Sequence, residues 1–294
     1  MNIIEYIKKD NILIFDGAMG TMLQRKGLKQ GENSSIFGFK NKKILLEVHK
    51  EYLNAGANVI TTNTFRANEI VLDKLGYKVE DIVDSAVKIA KLAIEESDKS
   101  IKRYIALSIG PIGEMLEPIG KISFDRAYEI FKRQMIKGEE SGADVILIET
   151  MIDLYEAKVA VLAAKENTNL PVFLTMTFDK NGKSFTGCTP EELVHTMQEL
   201  GVDAVGINCS YEPKKIIFIV EKICKESNIP VIVQANAGLP NIINDNVIYN
   251  INEDEYIYGV NEFIKKGVSI IGGCCGTTPI LIEKIRDTLS NIHK

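Results

Sequence analysis

One device recurs along this chain. A stretch with helical spacing runs into a glycine, a short loop follows, and an apolar run begins: "NAGANVI" (54–60), "ESGADVI" (140–146), "ELGVDAV" (199–205) and "KKGVSII" (265–271). Glycine ends such helices because the left-handed conformation at that point costs nothing without a Cβ. Eight runs of strand length follow the pattern, at 11–15, 58–63, 104–110, 144–150, 171–178, 203–210, 230–236 and 268–273. Most are continuously apolar rather than alternating, as in parallel strands buried on both faces. Amphipathic segments of helical length lie between them, at 44–55, 79–97, 124–141, 153–167, 190–200, 212–226, 253–266 and 278–290. Eight β-then-α units in 294 residues predict a single domain over 1–294, an α/β chain closed into one (β/α)8 TIM barrel. A doubly wound open sheet usually has fewer strands and a phosphate-binding glycine loop, and no G-x-G-x-x-G follows the first run.

In such a barrel all strands finish on one rim, where catalytic residues gather. Two long connections follow strand ends, 24–43 and 237–252. Both read as polar loops on that rim and as candidate lids. Lysine and glutamate are spread throughout at a net charge of −5, so no basic block marks a nucleic-acid footprint. No apolar run approaches the ~20 residues of a membrane-spanning helix. The opening "MNIIEYIKKDNILIFDG" carries acids and lysines inside its apolar stretch, unlike a signal peptide. Five cysteines are too few for a disulfide framework in a chain of this length. The expectation is a cytoplasmic protein whose thiols are reduced or metal-bound.

The cysteines carry the chemistry. Cys209 ends the sixth run in "GINCS", and Cys274 and Cys275 end the eighth in "GGCCG". Adjacent cysteines rarely bridge each other, because the small ring strains the peptide between them. On a barrel rim the three side chains can converge, and three thiolates suit Zn2+, leaving a fourth tetrahedral position open. The glycines let the backbone turn so that both sulfurs point inward, and "TTP" opens the last helix with Thr277 or Thr278 as its N-cap. Cys188 in "TGCTP" and Cys224 within a helical segment read as small buried hydrophobes. His49, His195 and His293 lie in helix or tail segments, which makes a histidine-based hydrolase unattractive. A zinc ion held by three thiolates is a modest Lewis acid, poorly matched to making hydroxide. It is well matched to holding a substrate thiol as its nucleophilic thiolate. The chemistry inferred is alkyl transfer to a thiol. A structural zinc site would have four protein ligands, which argues against a non-catalytic role.

"FDGAMGTMLQ" (15–24), "GINCS" (206–210) and "GGCCGTTP" (272–279), in this order and at these strand ends, resemble the homocysteine S-methyltransferase family. The resemblance spans nearly the whole chain. It implies a (β/α)8 barrel, zinc on Cys209, Cys274 and Cys275, and the sulfur of L-homocysteine in the open position. It assigns Asp16 and Glu149, which end the first and fourth runs, to the homocysteine ammonium. A helix-cap role is the alternative for Asp16. Gly17, Ala18 and Gly20 fall to the substrate pocket, where missing side chains let backbone donors approach a small anion. Asn236 resembles a position close to zinc that can fill the fourth site when substrate is absent; the "QA" before it departs from the proline more usual there. Asn63 and Thr64 are further candidates to orient substrate, whereas Asn208 and Thr150 read as rim neighbours in ordinary loop hydrogen bonding.

The stretches "SIGPIGEMLEPIG" (108–120), "MTFDKNGKSFTGCTPEEL" (176–193) and "NAG" (236–238) resemble the N-terminal homocysteine-binding module of cobalamin-dependent methionine synthase. That likeness implies methylcobalamin as methyl donor, carried on a partner domain or chain. No D-x-H-x-x-G string of a cobalamin module occurs here. The alternatives are a stand-alone enzyme using S-methylmethionine or betaine, or a methyltransferase for another small thiol.

Overall fold

The computed structural model describes the chain except Asp10, Leu239, Asn244, Asp245, Asn250, Ile251, His293 and Lys294; for 240–243, 246–248 and 292 it describes the backbone alone. Parallel strands β1 (Leu13–Ile14), β2 (Val59–Thr61), β3 (Tyr104–Ile109), β4 (Val145–Met151), β5 (Val172–Met176), β6 (Ala204–Asn208) and β7 (Val231–Ala235) succeed one another around the barrel. An antiparallel hairpin, β8 (Pro240–Ile243) and β9 (Asn246–Tyr249), precedes the last barrel strand, β10 (Ile270–Gly273). β10 sits between β7 and β1, and the Phe15–Val59 bridge closes β1 onto β2. The fold is the (β/α)8 TIM barrel that the eight repeats imply.

The helices, in chain order, are α1 (Ile3–Ile7), α2 (Met19–Arg25), α3 (Ser34–Lys40), α4 (Lys42–Ala55), α5 (Glu69–Asp73), α6 (Val79–Glu95), α7 (Phe124–Ser141), α8 (Leu154–Asn167), α9 (Pro190–Glu199), α10 (Pro213–Glu226), α11 (Glu253–Lys265) and α12 (Pro279–Ile292). Gly56 and Gly142 cap α4 and α7 in the left-handed conformation at φ 110° and 96°, as the repeated device requires. Four short helices were not read from the sequence. Among them, α2 and α3 occupy part of the 24–43 connection, which is therefore not simply a polar loop; Asn33 caps α3 by accepting from Ile36 N–H at 3.1 Å. The 237–252 connection likewise holds the β8–β9 hairpin.

Period-two alternation along the strands separates two layers inside the barrel. Leu13, Phe15, Val59, Val145, Leu147 and Phe173 belong to the apolar interior, which Ile3 and Ile7 of α1 cover from below. The Phe15 and Phe173 rings meet with centroids 6.3 Å apart. Two residues further along the same inward faces the side chains turn polar: Thr61 after Val59, Ser108 after Ala106, Glu149 after Leu147, Gln234 after Ile232. These residues floor a cavity at the C-terminal rim.

Candidate metal centre and substrate cavity

The barrel brings Cys209 and the Cys274–Cys275 pair together: the three sulfurs lie within 4.8 Å of one another, and Cys209 and Cys275 approach to 3.4 Å. Sulfurs around one tetrahedral zinc sit about 3.8 Å apart, from a bond of about 2.3 Å, so the cluster fits that ion without rearrangement of the strands. Strand register places it. Cys209 N–H donates to Gln234 O at 3.3 Å and Cys274 N–H to Ala235 O at 2.8 Å, tying both ends to β7. Cys209 adopts φ 49°, a left-handed conformation unusual outside glycine, which turns its side chain at the strand end. Hydrogen bonds from the Cys209 and Cys274 thiols pull the Cys275 sulfur well below the usual thiol range, while sharing protons with Cys209 and Cys275 pushes Cys274 up. Lowering one sulfur of the cluster favours the thiolate, the form a soft metal binds.

Thr277 locks the turn after the pair. Its hydroxyl donates to Cys274 O at 2.6 Å and accepts from Ala18 N–H at 3.0 Å, joining the two ends of the chain across the rim. Tyr52 donates to Ala18 O and Thr277 O, both at 3.2 Å. Thr278, directly before Pro279, begins the last helix: its carbonyl accepts from Leu281 and Ile282 N–H. A Cβ on Gly17 would come 2.7 Å from Thr277 Oγ1, so this glycine serves close packing of the rim. One on Gly20 would meet open space.

The cavity beside the sulfurs has a volume of about 310 Å3 and is lined by Asp16, Gly17, Ala18 and Gly20, by Ser108 and Glu149, and by all three cysteines. Asp16 is buried and caps no helix. Its carboxylate accepts from Thr61 N–H at 2.7 Å and Thr61 Oγ1 at 2.8 Å. Glu149 accepts from Ser108 Oγ at 2.5 Å and from Asn208 Nδ2 at 3.3 Å. Burial pushes both carboxyls up to about 7, against the pull of those hydrogen bonds; the charge on Glu149 also raises Asp16, and that on Cys275 raises Glu149. Two acids whose charge burial disfavours, in one cavity, make a site that a cation would relieve.

Asn236 does not line this cavity. Its Nδ2 donates to Ser210 O at 3.2 Å, and its Oδ1 is buried with no partner among the described residues, as is Gln234 Oε1 on the cavity wall. Asn63 lines the cavity and donates to Ser34 O at 2.7 Å, whereas Thr64 is buried beneath it, donating to Ser108 O at 2.7 Å. Thr150 and Asn208 hydrogen-bond to each other. Cys188 and Cys224 lie outside the cluster, His195 pairs with Glu226 at 3.1 Å, His49 is buried within α4, and His293 lies outside the described residues. Sequence reasoning passed over Thr61 and Ser108; their signal was a polar residue breaking an inward-facing apolar alternation. It also passed over Tyr249 of β9, whose ring lies over Gly276 beside the cysteines.

The family model described as homocysteine S-methyltransferase matches residues 13–289. A methionine synthase of Mycobacterium tuberculosis is 30% identical over 98% of this chain, and one of Mycobacterium leprae 31% identical over 93%. The chain spans about a quarter of the length of these relatives, 25% and 24%. Among solved structures, the metallated form of the homocysteine methyltransferase MmuM from Escherichia coli superposes with a TM-score of 0.83 at 21% identity, covering 96% of this chain and 98% of that one. At that identity the likeness establishes the shared barrel. No described helix is long and apolar enough to cross a membrane.

Proposed function

Because the chain belongs to the homocysteine S-methyltransferase family, we propose that residues 1–294 form a homocysteine-binding barrel that methylates the thiol of L-homocysteine to give methionine. One observation carries this reading: three cysteine sulfurs and two carboxylates, Asp16 buried and Glu149 half-buried, line a single cavity. Homocysteine presents a thiol at one end and an ammonium at the other, and each matches one of these groups. Cys209, Cys274 and Cys275 would hold Zn2+, which when bound lowers the pKa of a substrate thiol while leaving its sulfur nucleophilic. Asp16 and Glu149 bind and orient the ammonium, with Thr61 and Ser108 fixing their carboxylates. Gly17, Ala18 and Gly20 form the wall that receives the carboxylate end. Asn236 offers a buried, unpartnered oxygen as the candidate occupant of the fourth metal position before substrate arrives. Holding the sulfur and the amino-acid end at once converts methyl transfer into a positioned displacement, and no covalent protein intermediate is needed.

The donor we favour is a methyl-corrinoid carried by another domain or chain. The three central stretches that resemble the cobalamin-dependent enzymes, and the similarity to two methionine synthases four times as long, support it. The test is methionine formation from L-homocysteine with methylcobalamin, S-methylmethionine or betaine, on protein whose zinc content is measured. Methylation with methylcobalamin alone supports the corrinoid reading, and activity with either small donor replaces it. No methionine from any of the three, or zinc uptake unaffected by loss of the cysteines, refutes the proposal.

A further inference from the structure

A second cavity, of about 690 Å3, lies against α3 and shares no lining residue with the one beside the cysteines. Helical spacing explains the separation. Asn33, Ile36, Phe37 and Lys40 stand at i, i+3, i+4 and i+7 and face the second cavity, while Ser34 lies off that stripe and lines the first. Val71, Leu75 and Tyr77, from the excursion between β2 and α6, supply the facing wall.

Lys29, Lys40 and Arg66 line this cavity and are exposed, and among the described residues none of them pairs with a carboxylate. Two neighbouring lysines are paired and add no free charge: Lys26 with Glu47 and Glu51, Lys74 with Glu114. Glu32 is the acid among the lining residues, and its carboxylate accepts from the Lys29 backbone N–H at 3.0 Å. Three cations against one acid leave two positive charges around a cavity in a chain whose net charge is −5. Lys40 Nζ stands 5.6 Å from the centroid of the Tyr77 ring, so cation and aromatic face occupy the same wall. A recess with an excess of one sign of charge concentrates the opposite ion, and Phe37 and Tyr77 offer flat apolar surface for a ring to lie on.

We propose that this cavity binds an organic anion with a flat aromatic body and at least two negative charges. The site is separate from methyl transfer and does not depend on it. Cationic sulfonium and ammonium compounds are repelled by the same three residues.

The full chain is titrated with 1,3,6,8-pyrenetetrasulfonate, a planar tetra-anion, followed by fluorescence anisotropy. Saturable one-to-one binding is expected, weakening as salt is raised. Lys29→Ala, Lys40→Ala and Arg66→Ala should each weaken it by about fivefold, the scale of an exposed ion pair. The triple variant should weaken it by about a hundredfold, with an unchanged circular dichroism spectrum because all three side chains are exposed. Tyr77→Leu, which leaves every charge in place, should also weaken it. Absence of saturable binding, equal binding by the triple variant, or inorganic tripolyphosphate binding as tightly as the pyrene anion overturns the proposal.

Discussion

Thr150 and Asn208 clasp each other across the top of the barrel. Thr150 N–H donates to Asn208 Oδ1 at 2.9 Å, and Asn208 Nδ2 donates back to Thr150 Oγ1 at 2.8 Å. Each residue adjoins a group of the site: Thr150 follows Glu149, and Asn208 precedes Cys209. Thr150 and Cys209 both hold positive φ, at 61° and 49°. The clasp therefore steadies two strained strand ends, one presenting a carboxylate and the other a sulfur.

Asn208→Ala removes the acceptor of the partly buried Thr150 N–H and one of the two supports of Glu149. It should cost about 1–3 kcal/mol of stability, the scale of an unsatisfied buried polar group. It should also weaken zinc binding by about 10- to 100-fold, as loss of a residue that orients a ligand does. Urea unfolding and competition with a chromogenic chelator read the two effects; wild-type values in both would show the clasp to be dispensable.

Cys209→Ala and Cys275→Ala should each abolish stoichiometric zinc at neutral pH, and with it the thiolate-to-metal absorption of the cobalt-substituted protein. Cys188→Ala and Cys224→Ala, outside the cluster, should retain both. Metal analysis after gel filtration decides between the two groups.

Asp16 and Glu149, both raised to about 7 by burial, set a pH dependence. An ammonium is held by ionised carboxylates, so affinity for L-methionine, which has the ammonium but no ionisable thiol, should rise with pH to about 7 and level off above. Stability without ligand runs the other way. The folded carboxyls bind protons more tightly than the unfolded ones, whose pKa values lie near 4. Their contribution is therefore fully present below about pH 4 and is lost as pH rises through about 7. Asp16→Asn should flatten part of both profiles, measured by calorimetry and by denaturant unfolding. An affinity independent of pH between 5 and 8 would remove the carboxylates from ammonium binding.

Gly17→Ala and Gly20→Ala should separate cleanly. The first forces a Cβ to within 2.7 Å of Thr277 Oγ1 and 3.0 Å of the Tyr52 hydroxyl, disturbing the bonds that join Ala18 to the cysteine turn. A loss of about 1–3 kcal/mol is expected from such overpacking. The second places a methyl group in open space on α2 and should leave stability unchanged or raise it by up to about 1 kcal/mol. Thermal unfolding of the two variants side by side checks the contrast.

The barrel and its cysteine cluster were legible because their signals are local. Each β-then-α unit announces itself by a change of periodicity and a terminal glycine, and a cysteine after an apolar run marks a strand end whatever its partners. The short helices α2 and α3 were not legible, because their seven residues carry too little periodicity to stand out from a polar connection. The hairpin that delivers Tyr249 was hidden in the same way within the 237–252 connection.

Sequence alone determined which residues end strands, and hence that Asp16, Glu149, Cys209 and the Cys274–Cys275 pair would share one rim. Tertiary structure decided what each of them meets there. Asp16 bonds to Thr61, 45 residues away, and Thr277 to Ala18, 259 residues away. Such pairings depend on how β1 closes against β10 and β2 and on the register of neighbouring strands. Those are set by packing around the whole barrel, which no local stretch of sequence encodes.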